Sequence, residues 1–114
     1  MKLDELKNMA LDIRQKYTAL NAAKGEKVWG GKDYAMGFVG DVGDLQKAIM
    51  AAEGMRTLDD AEAKLGHELA DCLWSILVLA DHYNIDLEKQ FSKTMSELEH
   101  RIAHETSLTG GSTK

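Results

Sequence analysis

Apolar residues recur along this chain in steps of three and four, the spacing that gathers them on one side of an α-helix. Leu3, Leu6, Ala10, Ile13, Tyr17 and Leu20 trace the first such seam and predict a helix over roughly residues 3–22. Residues 23–32 combine three glycines, three lysines and Trp29 with no helical period and read as a loop. Asp33 is placed to cap a second helix over about 34–52, with Phe38, Val42, Leu45 and Ile49 as its stripe and Glu53-Gly54 as its end. Thr57 and Asp60 resemble a capping box that opens a third helix, running to about Tyr83 and closed by Asn84. Asp86 caps a fourth over about 87–105, whose stripe is Leu87, Phe91, Met95, Leu98 and Ile102. Residues 106–114, rich in Gly, Ser and Thr, read as a flexible tail. Four helices with short connections predict an all-α, four-helix-bundle-like domain over residues 1–105.

The third helix departs from simple amphipathicity. Cys72 to Ala80 is apolar nearly all round, and a helix that is hydrophobic on every side is buried on every side. A chain of 114 residues has little material to surround one helix completely, so a homo-oligomer, dimer or tetramer, is expected to cover the second face. The other reading is that Trp74 and Val78 line a ligand pocket. The absence of proline and the 6% aromatic content favour helices over sheet. The net charge of −5 argues against a nucleic-acid-binding surface, which needs a basic patch. Cys72 is the single cysteine, so no disulfide framework is possible within the chain, and it reads as a small buried apolar residue in a reducing compartment. The charged opening segment reads as no signal peptide, and the apolar run is too short to span a bilayer, so a cytoplasmic protein with no membrane partner is expected.

Two acidic pairs carry the candidate chemistry. Asp41 and Asp44 on the second helix, and Glu68 and Asp71 on the third, each stand three residues apart, which puts the members of a pair on one side of a helix. At 100° per residue, a stripe centred near Ile49 places Asp41 and Asp44 roughly 80° and 140° from its middle. A stripe centred near Ile76 places Glu68 and Asp71 at about the same two angles. The pairs are therefore expected on equivalent flanks of neighbouring helices. If they meet, four carboxylates repel one another unless a cation sits among them, and an oxygen-only set suits Mg²⁺ or Mn²⁺. Gly37, Gly40 and Gly43 recur every three residues on the second helix, each costing about 1 kcal/mol relative to alanine. Close helix packing over a small-residue ridge, or close approach of a ligand to bare backbone, would compensate.

The order of acid-x-x-acid, short loop, Glu68-Leu69-Ala70-Asp71, apolar helix and Asn84-Ile85-Asp86-Leu87 resembles the MazG-like nucleotide pyrophosphohydrolases of the all-α NTP pyrophosphatase group, over roughly residues 3–103. That family's signature is Glu-Glu-x-x-Glu followed by Glu-x-x-Asp on two helices of a bundle. Here the second half is intact. The first reads Gly40-Asp41-Val42-Gly43-Asp44, with its first acid absent and the other two shortened by one methylene. The family's usual asparagine in the last helix has no match near Leu98.

The resemblance implies Mg²⁺, or Mn²⁺, held by Asp41, Asp44, Glu68 and Asp71. It implies hydrolysis of a nucleoside triphosphate to monophosphate and pyrophosphate in nucleotide-pool house-cleaning. Asp41, Asp44 and Glu68 would act on the attacking water. Lys24, Lys27, Lys32 and Lys93 would steady phosphate charge, and Trp29 would stack on a base. His67 reads as a polar group beside Glu68 rather than a ligand, and no Glu-x-x-His pattern supports a di-iron site. A helical oligomerisation or regulatory module that keeps the fold without turnover is the alternative, and a phosphoribosyl-ATP pyrophosphohydrolase a weaker third.

Overall fold

The computed structural model describes residues 1–55 and 60–110. Among them every regular element is an α-helix, and there are four: α1 (Leu3–Ala23), α2 (Gly31–Ala52), α3 (Ala61–His82) and α4 (Leu87–Leu108). Residues Met1–Asn84 form one compact unit, and Ile85–Lys114 a second.

In the first unit α3 packs against both α2 and α1. Its junction with α1 combines polar and aromatic contacts. The Trp74 indole donates to the Ala10 carbonyl at 3.0 Å, Arg14 pairs with Asp81 at 2.9 Å, and Tyr17 meets Trp74 edge-on. α2 and α3 run antiparallel. The start of α2 lies by the end of α3, where Gly31 is so close to Tyr83 that a Cβ there would collide with the phenol hydroxyl, and Tyr34 contacts both His82 and Trp74. Ala10, Tyr34, Ala48, Cys72, Leu77 and Val78 make the apolar core.

Helix ends follow local chemistry in most places. Lys2 N–H donates to Glu5 at the start of α1, Gly54 and Asn84 take positive φ just beyond α2 and α3, and Asp86 accepts from Lys89 N–H at the start of α4. Two boundaries differ from the sequence expectation. α2 opens at Gly31, with Gly30 as its cap residue, so Asp33 is the third helical residue. There its carboxylate reaches back to accept from Gly30 N–H at 3.0 Å. α4 continues to Leu108, so residues 106–108 are helical. The Thr57 half of the expected capping box lies outside the described residues, and Asp60, in the left-handed region, makes no side-chain cap bond.

The buried faces also differ from the stripes read in the sequence. On α2 Phe38 and Leu45 of the expected stripe are half-buried beside Tyr34, Asp41 and Ala48, whereas Val42 and Ile49 are exposed. On α3 the inward face carries Asp71, Ser75 and Val78, while Leu69, Leu73 and Ile76 lie on the far side, roughly 140° to 180° from Val78. The helix is thus buried on one side rather than all round. Nor is the glycine row a packing ridge among the described residues: Cβ atoms at Gly40 and Gly43 would meet none of them within 4 Å, and one at Gly37 would touch the Trp29 ring.

Candidate functional site

The antiparallel register of α2 and α3 brings Asp41 opposite Ser75, whose hydroxyl donates to Asp41 Oδ2 at 2.9 Å. One and two turns earlier on the same side of α3 stand Asp71 and Glu68, both half-buried. Their position follows from spacing: residues 68, 71, 75 and 78 fall within roughly 80° of arc, and Val78, fully buried, anchors that arc against its neighbours. Acids that the apolar count of α3 would put on a flank therefore lie in the helix contact itself.

Glu68 Oε2 is, among the described residues, the one buried side-chain oxygen with no hydrogen-bond partner. Asp71 receives His67 Nε2 at 3.1 Å across one helical turn. One ligand atom from each of His67, Glu68 and Asp71 lies within 4.8 Å of the others. Asp41 belongs to the same neighbourhood: the buried Cys72 thiol is pushed above its ordinary pKa, first by burial and then by the negative charge of Asp41, Glu68 and Asp71. Asp41 is not among the three residues whose ligand atoms lie within 4.8 Å of one another; the Ser75 hydroxyl links it to α3. Among the described residues neither Asp41 nor Glu68 has an ion-pair partner.

Asp44 is not brought into this group. It lies exposed, some 60° around α2 from Asp41. Ser75 is the residue that sequence reasoning missed. Its signal was present, because a serine seven residues after Glu68 falls on the same side of the helix.

The loop before α2 is organised around Asp33. Lys27 pairs with it at 3.1 Å, and the Gly30 amide, then Lys27, hold its carboxyl below the ordinary aspartate range. Lys24 and Lys32 extend into solvent. Trp29 leans edge-on against Tyr34 with ring centroids 5.5 Å apart, lies over the bare backbone of Gly37, and remains 43% exposed, enough for a ring to be stacked upon. Lys93 belongs to α4, where it lines an open hollow with Asp86, Glu88, Lys89, Ser92 and Ser96.

The family model of the MazG nucleotide pyrophosphohydrolase domain matches residues 33–106. That span is well over half of the chain, and it contains both acidic pairs, Ser75 and Lys93. No curated protein and no solved structure gives a significant match.

Proposed function

The chain belongs to the MazG nucleotide pyrophosphohydrolase family, and from that premise we propose that it is a metal-dependent nucleoside triphosphate pyrophosphohydrolase, splitting an NTP or dNTP into monophosphate and pyrophosphate in nucleotide-pool house-cleaning. The observation that carries the reading is the Glu68 carboxylate, whose buried Oε2 has no hydrogen-bond partner and which stands beside Asp71 and within electrostatic reach of the thiol that Asp41 also reaches. A buried anionic oxygen without a donor is costly, and a cation relieves that cost. The carboxylate oxygens of Glu68 and Asp71 suit Mg²⁺ or Mn²⁺ and fit the ion, while the neighbouring His67 imidazole is engaged with Asp71.

Asp41, Glu68 and Asp71 would hold it, with Asp44 joining from the edge. A bound divalent ion supplies neutralisation of phosphate charge and activation of water. The chain's own groups do the rest. Glu68, poorly hydrated, accepts the proton of the attacking water, a role that Asp41 and Asp44 share from α2. Lys24, Lys27 and Lys32 offer ammonium groups to the phosphates, Lys27 exchanging its contact with Asp33 for the substrate. Trp29 offers its exposed ring to the base.

The same proposal takes the molecule as a homodimer or homotetramer, because Leu69, Leu73 and Ile76 present an apolar strip on the outer side of α3 that a second copy would cover. Light scattering on the purified chain tests this, and a monomer rejects it. No described helix is long and apolar enough to cross a membrane. A fold-retaining module without turnover is the second reading, favoured by glycine at position 40 and by the exposure of Asp44.

The deciding experiment incubates the protein with canonical and modified (d)NTPs plus Mg²⁺ or Mn²⁺ and follows monophosphate and pyrophosphate. Turnover is expected, with a metal-induced rise in melting temperature corresponding to about 2.7 kcal/mol at a hundredfold excess over Kd. No product and no rise would leave the inactive module as the better reading.

A further inference from the structure

Ser75 is the only polar side chain among the described residues that is fully buried, at 2% exposure. A serine inside a helix ordinarily satisfies its hydroxyl on the carbonyl one turn back, as the hydroxyl of Thr18 does here on Arg14 at 3.1 Å. Ser75 instead crosses to the facing helix and donates to Asp41 Oδ2 at 2.9 Å.

We propose that Ser75 is a positioning residue for the α2 carboxylate, fixing Asp41 toward Glu68 and Asp71 so that the two helices present one donor set to a divalent cation. The inference rests on the metal-dependent reading of the site and goes beyond it by assigning a role to a residue that is no ligand. An aspartate has two side-chain torsions, and one short hydrogen bond from a rigid, buried partner restrains both. The hydroxyl occupies one oxygen and leaves the other to a cation. It is also neutral: a lysine in its place would bring its own charge and compete with the ion, whereas a hydroxyl orients the carboxylate without cancelling it. Because Ser75 shares the inward face of α3 with Glu68 and Asp71, a single helix supplies its own acids and holds the one on α2.

The test is Mn²⁺ binding to the full chain without nucleotide, followed by the loss of the free-ion signal in electron paramagnetic resonance. Outer-shell partners of this kind are worth about 10- to 100-fold in metal affinity, and Ser75→Ala is expected to weaken binding by that factor. Ser75→Thr keeps the hydroxyl and is expected to keep the affinity. Ser75→Val, equal to threonine in shape, is expected to lose it. That pair carries the comparison if the alanine variant fails to fold. In an Asp41→Asn background the hydroxyl has no carboxylate to position, and removing it is expected to cost nothing further. Wild-type affinity in both Ser75→Ala and Ser75→Val, or an equal loss in both backgrounds, overturns the positioning role while leaving the metal reading intact. Wild-type protein that binds no Mn²⁺ overturns both.

Discussion

Glu68 and Asp71 on α3 are both half-buried in the contact with α2, whereas of the matching pair on α2 only Asp41 turns inward and Asp44 stands in solvent. Spacing and residue type barely differ between the pairs. What differs is where each pair falls on the covered face of its helix. α3 packs against α1 as well as α2, so its covered face is broad enough to take residues at several angles. Within the first unit α2 packs chiefly on α3, and its covered face carries Tyr34, Phe38, Asp41, Leu45 and Ala48, with Asp44 some 40° past Ala48. Residues three apart on a helix diverge by roughly 60°, so both members of a pair turn inward only where both angles fall within the covered face. Equal motifs thus become unequal sites, and their angular place on the covered face sets the difference.

The largest effect is expected at the buried end of the comparison. Glu68→Gln should lower kcat/KM by about 100-fold or more, yet should leave the metal-free melting temperature unchanged or higher, since it removes an unpartnered buried anion. A loss of stability in parallel with activity would mean that Glu68 is a structural acid, and the contrast with Asp44 would lose its meaning. The α2 pair then tests the asymmetry itself. Asp41→Asn should weaken Mn²⁺ binding by about 10- to 100-fold, and Asp44→Asn by about 3-fold or less, in line with an exposed charge near the ion. Equal losses from the two variants would break the comparison.

Val78, fully buried on the inward face of α3, supplies the packing control. Val78→Ala should cost about 2 kcal/mol in chemical denaturation, with Mn²⁺ affinity per folded molecule held within a few-fold. A large loss of affinity would show that the carboxylate geometry depends on core packing more than on the Ser75 bond. The smallest effect lies far from the acids. Asp33→Asn should lower the melting temperature modestly at neutral pH by weakening the start of α2. Because the folded state lowers the Asp33 pKa below 3.8, its contribution is fully present above that value and fades as pH falls through the lowered one. Wild type and variant should therefore converge in strong acid, and a gap independent of pH would assign the effect to something other than the carboxylate.

Much of the fold was readable in advance because helix ends are local. Asp86, Asn84 and Gly54 act through bonds or backbone angles within a few residues of themselves, and each stands where its chemistry pointed. The start of α2 was not readable in this way. Gly30 and Gly31 look like loop residues, yet Gly30 caps the helix through Asp33, and Gly31 in the first turn lies against Tyr83, just beyond the end of α3. The orientation of α3 was misjudged for a related reason. Counting apolar residues placed its buried side near Ile76, while the structure buries Ser75 and Val78, half-buries the two acids and leaves Leu69, Leu73 and Ile76 outside.

The sequence by itself determined the helices, the spacing of the four acids and the family to which they belong, since all three are written in intervals of three, four and seven residues that any helix converts to angles. Only the tertiary structure decided which arc of each helix faces its neighbour, and so which acids meet. That choice depends on contacts between residues far apart in the chain, such as Ser75 with Asp41 and Trp74 with Ala10, and a polar group can be drawn inward when a partner across the contact satisfies it.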